Sequence, residues 1–500
     1  MHHPLRHREV QFKSCFMSMM HRSAGAIGAM LWLSVGTAWA AVPAVPIPNQ
    51  PDDFSTPGAG GAFGFLDGIE RSNYLLGDLW GLRTGLSHAG MSLGLEETSE
   101  YLGNVSGGTQ RGFAYDGLSQ AVLQLDTQRA FNWHGGTVNA SGLWIHGSNL
   151  SANNLDTLQT ASGIEGDRAV RLWELWYQQK FLEEDRLDVK IGQQSLDQEF
   201  MVSANASYFV NTMFGWPMLP SADLPGGGPA YPLSALGIRF RAHPINPITV
   251  LVGVFSGSPV RDNSGDPQQQ NAYGTSFPLN GGALAIAEIQ YAYPSLGTMV
   301  LADDAEHLSC LYRLGVWYDS ERFADLRYDT TGRSLADPAS NGTPRTHHGD
   351  YSIYAVVDQM LYRFPNDADR NVNLFLRAMD APQGDRNLVT FCMNAGLVMH
   401  EPIFHRDDDT CGLGMGYARV GAGQRGFDQD TGSFSGTPYP VQSGETYIEA
   451  TYQYQALAWW QLQPDVQYVI NPGAGVPNPS NPGRTVRNEL VIGIRTNVLF

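Results

Sequence analysis

The chain has 500 residues, 42% of them hydrophobic, with 56 glycines, 21 tyrosines, 11 tryptophans and a formal net charge of −18. That negative balance argues against nucleic acid or an anionic lipid surface as a partner. Beyond one amino-terminal run, no segment approaches the roughly 20 consecutive apolar residues with which a helix crosses a bilayer.

That run lies between Ala24 and Ala41 and ends on Ala38-Trp39-Ala40, an A-x-A cleavage site, so residues 1–40 read as a secretory signal peptide. Met20 is the better start, with His21 and Arg22 as its short basic region, which makes residues 1–19 a mis-called beginning. Residues 41–86 follow as a leader: Val42–Gly64 is rich in proline and glycine, and the spacing turns briefly helical from Ile69 to Leu86. A short plug or periplasmic helix is expected there.

From Ser87 onward the pattern is strand after strand with turn signals between. In Leu172–Phe181, Trp173, Leu175, Tyr177 and Phe181 fall on one face and Glu174, Trp176, Gln178 and Lys180 on the other. Leu187, Val189 and Ile191 stand opposite Asp188, Lys190, Gly192 and Gln194. Leu236, Ile238 and Phe240 alternate with Gly237, Arg239 and Arg241, and Leu314, Val316 and Tyr318 with Arg313, Gly315, Trp317 and Asp319. Val372, Leu374 and Leu376 alternate with Asn373, Phe375 and Arg377; Ile448, Ala450, Tyr452 and Tyr454 with Glu449, Thr451, Gln453 and Gln455. The closing segment, Leu490–Phe500, sets Leu490, Ile492, Ile494, Thr496, Val498 and Phe500 against Val491, Gly493, Arg495, Asn497 and Leu499.

A greasy face and a mostly polar face belong to a strand between two solvents. In a soluble protein the greasy face meets a core; in a transmembrane barrel it meets lipid and the polar face lines a wet lumen. The connections are unequal. Some are tight, while Asn205–Pro232, Gly257–Gly282, Ser334–Gly349 and Gly421–Gly444 are long and polar, which is the habit of an outer-membrane barrel. The expectation is an all-β, antiparallel, up-and-down transmembrane barrel over residues 87–500 as one continuous sheet. Cys392 points inward and Cys411 outward on neighbouring strands, so Cys310, Cys392 and Cys411 are read as free thiols.

Several blocks carry a family resemblance. YLGNVSGGTQRGFAYDG (Tyr101–Gly117), LLGDLWGLRTGL (Leu75–Leu86), Phe214–Pro244, YRLGVWYDSERFAD (Tyr312–Asp325), YAVVDQMLYR (Tyr354–Arg363), RDDDTCGLGMGYAR (Arg406–Arg419) and the final strand are similar to the carbohydrate-selective porins of Gram-negative outer membranes, the OprB family. Leu79-Trp80 departs from the usual Trp-Gly pair, and Cys411 stands where an aliphatic residue is usual. The resemblance implies a sixteen-stranded barrel through which sugars, glucose above all, diffuse across the outer membrane, as a monomer or homotrimer. It also implies that Phe500, the terminal aromatic, is read by the barrel-assembly machinery.

A sugar presents hydroxyls around an apolar ring face, so a site for it needs hydrogen-bonding charges beside an aromatic plane. Glu174 and Trp176 supply that pair; the alternative is Trp176 packed under a loop and Glu174 paired to an arginine. Arg239 and Arg241 form an inward ladder of donors or of loop-holding groups, and Arg313 with Trp317 is a second aromatic–cation pair. Glu96, Arg111, Arg377 and Glu449 are candidate wall charges. The Phe214–Tyr231 loop, with Trp216, either folds inward to narrow the pore or forms an extracellular lid. Trp459, Trp460, Tyr452, Tyr454 and Tyr468 suit interface girdles.

Catalytic motifs are absent: no HExxH, P-loop or G-x-S-x-G occurs, so no enzyme and no cofactor are expected. Asp407-Asp408-Asp409 reads as a charged turn rather than a metal cluster, and Asp303-Asp304 as at most a weak calcium site. A general or anion-selective porin using Arg239 and Arg241 is the alternative function; a soluble exported β-protein and a barrel enzyme are weaker readings.

Overall fold

The computed structural model describes residues 73–261, 265–295, 308–365, 367–403 and 406–500. Residues 1–72, which hold the signal peptide, the alternative start Met20 and the first part of the expected leader, lie outside them, as do Asp303 and Asp304.

A short helix, Leu82–His88, precedes the sheet; it begins inside the expected stretch and runs two residues past its end. The barrel strands are β1 (Met91–Ser106), β2 (Gly112–Asp126), β3 (Gly136–Gly147), β4 (Ala169–Phe181), β5 (Leu187–Gln194), β6 (Ala235–Ile245), β7 (Ile248–Ser256) and β8 (Ala283–Tyr293). They continue with β9 (Cys310–Asp329), β10 (Pro344–Phe364), β11 (Asp367–Asp380), β12 (Val389–His400), β13 (Thr410–Val420), β14 (Gly444–Leu457) and β15 (Trp460–Ile470). A small hairpin of β16 (Pro477–Asn478) and β17 (Asn481–Thr485) stands apart before the closing strand β18 (Glu489–Leu499).

Each barrel strand pairs with its sequence neighbour, and β18 pairs antiparallel with both β15 and β1, closing sixteen strands into a ring without an edge. Within a membrane that closure is obligatory, because an open edge leaves backbone donors and acceptors without water to satisfy them.

Facing follows the period of two. Leu314 is 61% exposed on the outer wall while Trp317, three residues on, is 1% exposed inside. Leu413 and Met415 point out on β13 between the inward glycines Gly412, Gly414 and Gly416. Aromatic residues collect near both ends of the wall, as interface girdles do. Trp459 stacks on Trp460 at the β14–β15 turn with centroids 6.1 Å apart, and Tyr101 stacks on Phe113 beside the β1–β2 connection at 5.2 Å. Among the described residues, Cys310, Cys392 and Cys411 form no disulfide.

One facing expectation fails. Trp173 is not on the greasy face but 5% exposed inside, against Leu118, Leu143, Ile145 and Ile164, edge-on to Tyr231 at 6.2 Å. The cause is a bulge: Ser141 pairs with Glu174 and Gly142 with Leu172, which leaves Trp173 as an extra residue. An extra residue flips the alternation locally, so Trp173 and Glu174 both turn inward.

The helical segment before β1 is tied to Phe500, which follows β18. Arg83 is buried; its guanidinium donates to the carbonyls of Gly77 and Phe500, its Nε to Leu93 O at 3.3 Å, and it lies 4.5 Å from the Tyr74 ring centroid. Phe500 N donates to Leu95 O at 3.0 Å. Charge-assisted bonds of this kind are each worth about 1.5–3 kcal/mol. Arg83→Ala is expected to lower the temperature of the folded-to-unfolded shift in gel mobility while leaving single-channel conductance unchanged; an unaltered transition temperature would refute the clamp.

Candidate functional site

A sixteen-stranded barrel is wide enough for an aqueous channel, so what narrows it decides what passes. Here the narrowing element is the β5–β6 connection, residues 195–234, which folds into the lumen. Its apolar side chains Phe209, Met213 and Phe214 lie against β11–β14: Phe209 stacks on Phe214 at 4.3 Å, and Phe214 meets Phe375 and Tyr447 edge-on at 5.7 and 5.4 Å. β13 makes room by turning three glycines inward. A Cβ on Gly412 would come within 2.7 Å of Phe209, one on Gly414 within 2.6 Å of Phe214, and one on Gly416 within 2.4 Å of the Met213 sulfur.

The same loop carries backbone groups that must be satisfied away from water. Wall side chains do this. Arg377 donates to the carbonyls of Met201 (2.8 Å), Gly215 (2.8 Å), Phe214 (3.0 Å) and Met213. Glu449 accepts from Val210 N at 2.6 Å and Asn211 N at 3.0 Å. Asp358 accepts from Ser203 Oγ at 2.6 Å and from Asn205 N and Nδ2 at 3.2 and 2.9 Å. Glu288 accepts from Met201 N at 3.0 Å and Tyr354 OH at 2.8 Å, with Arg313 Nε 3.7 Å away.

The sequence-derived candidates therefore separate into groups. Arg377 and Glu449 are inward as expected, yet their hydrogen-bonding atoms hold the loop. Trp317 is buried in the loop-packed core, and Trp216 lies within the loop, its Nε1 donating to Gly227 O at 2.9 Å. The loop folds inward rather than forming a lid. Glu96 is buried on the inner face of β1. Arg111 stands in the exposed β1–β2 connection, away from the wall, because the strand ends before it.

Glu174, Trp176, Arg239 and Arg241 do converge. Trp176 Nε1 donates to Glu174 Oε2 at 3.3 Å, and Lys190 Nζ lies 4.5 Å from the Trp176 ring centroid. Glu174 Oε1 accepts from Ser195 N at 3.0 Å, at the root of the loop. Glu199, a loop residue that periodicity could not nominate, joins the cations. It pairs with Lys190, with Arg239 Nε at 2.6 Å and with Arg241 Nη2 at 2.9 Å, while Arg239 also pairs with Asp188. The result is an aromatic plane, half-buried, beside a carboxylate and a bundle of compensated cations. Such a surface offers donors and acceptors to hydroxyls without a large net field.

Burial pushes the Glu199 carboxyl up, but Lys190, Arg241 and Arg239 outweigh it and hold the group below the ordinary carboxylate range. A lowered group contributes its stabilisation fully above the unfolded value and loses it only as pH falls through the lower folded one. Glu199→Gln should therefore leave three cations short of an anion and raise anion selectivity, read as a shifted reversal potential in a salt gradient. The difference from the wild type should persist through about pH 4.5, where free carboxylates are already protonating, because Glu199 stays charged below that pH. Its disappearance above that pH would contradict the assignment. Separately, Gly414→Val should push the Phe214 ring off the wall and increase ion conductance; unchanged conductance from folded protein would show that the loop is not seated by these glycines.

Among the described residues no group of three or more His, Cys, Asp or Glu side chains is arranged to hold a metal ion. The chain as a whole is similar to known proteins. The family model for the carbohydrate-selective porins, OprB family, matches residues 110–500. Porin B of Pseudomonas aeruginosa is 26% identical over 450 residues, which cover 86% of this chain and 92% of that protein. A high-pH structure of Pseudomonas putida OprB superposes with a TM-score of 0.73 at 22% identity, covering 86% of this chain and 99% of that one, a likeness of fold.

Proposed function

Since the chain belongs to the OprB family of carbohydrate-selective porins, we propose that its lumen is a passive path for monosaccharides, with Trp176 and Glu174 as the central contact. It is an outer-membrane β-barrel through which sugars diffuse, driven by their own gradient. The observation that supports the finer reading is the pairing of a half-buried indole face with Glu174 and Lys190 at the root of the folded-in loop.

The chemistry is that of weak, repeated contact. A sugar ring stacks its apolar face on Trp176 while its hydroxyls exchange hydrogen bonds with Glu174, Lys190 and Gln178. Transport requires that each contact be easily left, so the site must not trap the solute. Nothing in this sequence of events needs a covalent step, and a channel is the activity we assign in preference to an enzyme. Phe500 is proposed to be the signal read during barrel assembly; its place at the end of β18, with its main chain bonded to Leu95 and Arg83, supports a role completed before those bonds form.

The Lys190–Arg239–Arg241 group favours a second reading, an anion-selective porin. Glu199 and Asp188 offset those cations, which weakens it.

Purified protein in a planar bilayer, titrated with glucose and with a similar-sized neutral solute lacking ring hydroxyls, tests the proposal. Glucose alone is expected to block the single-channel current. Trp176→Ala should raise the half-blocking concentration about three- to tenfold, the range an aromatic stacking contact supports. Ion conductance should remain close to wild type. Equal block in wild type and variant would remove Trp176 from the path, and open channels without block would leave a general porin.

A further inference from the structure

The lumen below Trp176 is asymmetric. On one side, β5, β6 and β9 present Lys190, Arg239, Arg241 and Arg313, each beside a carboxylate. On the other side the inward positions are dominated by primary amides. Asn497 Nδ2 donates to Gln461 Oε1 at 3.0 Å, and Gln461 Nε2 reaches Gln453 Oε1 at 3.4 Å and Gln455 Oε1 at 3.2 Å. These join β18, β15 and β14 near the Trp459–Trp460 turn. Across β1, Gln124 Nε2 donates to Asn139 Oδ1 at 3.1 Å on β2 and β3, and Asn139 is the cross-strand partner of Trp176 itself. Between the two groups β1 turns Glu96 inward, buried, and Glu100, paired to Arg495 at 2.5 Å.

We propose that Gln453, Gln461, Asn497 and Gln124, the last held from behind by the buried Asn139, form a periplasmic-side track for a neutral polyhydroxylated solute, taking it from the Trp176 platform to the mouth of the barrel. This rests on the sugar-channel reading and extends it to the exit half of the lumen. Gln124, Gln453, Gln461 and Asn497 are half-buried, so their ends border open space rather than packed core. Two buried atoms in or behind the track hold no hydrogen bond, the donor Asn139 Nδ2 and the acceptor Asn497 Oδ1. Both atoms are enclosed, so the solute meets the partly exposed amide ends of Gln124, Gln453 and Gln461, each of which both donates and accepts. The amide–amide bonds are neutral and run from 3.0 to 3.4 Å, so exchanging one for an amide–hydroxyl bond changes little energy and creates no deep well. An amide row also gives a mobile ion no opposite charge to pair with, so it favours neutral solutes by chemistry and not by field.

The test compares glucose block of wild type with that of Gln453→Leu/Gln461→Leu/Asn497→Leu, folding being checked by the heat-dependent gel shift. The half-blocking concentration is expected to rise about fivefold, as for loss of a few weak hydrogen bonds, with salt conductance nearly unchanged. Should the triple variant not fold, Gln461→Met, near-isosteric and apolar, is expected to raise it about twofold. Block that is unchanged in a folded variant overturns the track while leaving the sugar channel standing. Absence of block in the wild type overturns both.

Discussion

Everything in this molecule depends on pairing the backbone where no water is available. A strand in hydrocarbon must bond on both sides, so sixteen strands have to close, and β18 has to find β1 across nearly the whole sequence. Closure then divides every strand's side chains between lipid and lumen. The greasy positions such as Leu314, Val316 and Leu413 are exposed only because their solvent is lipid; the polar positions are buried because they look inward. The usual meaning of inside and outside is exchanged.

The same constraint explains how the pore is narrowed. Bringing an irregular loop into the lumen imports unpaired carbonyls and amides, which the wall must satisfy. Arg377, Glu449, Asp358 and Glu288 do so, and leaving any one of them unmade costs the full desolvation of the group. Apolar packing of Phe209, Met213 and Phe214 against a glycine-lined stretch of β13 supplies the other half of the fit. Charge on the wall is thus first a means of holding the loop, and only the side chains left over face the solute.

That division sets what could be read from the sequence. A period of two revealed strand facing at β6, β9, β11, β13, β14 and β18, since facing is a local property. It could not reveal that Arg377 and Glu449 are committed to the loop, because their partners lie far away in sequence and have no regular spacing. Trp173 escaped because a bulge shifts the alternation without changing composition. Glu199 escaped because it lies in irregular chain, although a further acid beside three inward cations is what their mutual repulsion demands. One signal was available: Gly412, Gly414 and Gly416 at alternate positions announce a wall that must admit something bulky. The inward-folding loop is rich in aromatic residues and was the natural occupant.

The charge of the whole chain, −18, says little about the lumen. Lys190, Arg239 and Arg241 meet Glu199 and Asp188, and Arg495 meets Glu100, so opposite charges sit within a few ångströms and their fields largely cancel at the distance of a passing solute. A neutral sugar gains nothing from a strong field and is slowed by none. What it can use is a surface dense in donors and acceptors beside an aromatic plane. Ion pairs that are already made offer that surface and remain polar, while they decline to bind a free ion tightly. On the proposed reading, preference for carbohydrate follows from the same local neutralisation that lets the folded-in loop sit against the charged wall.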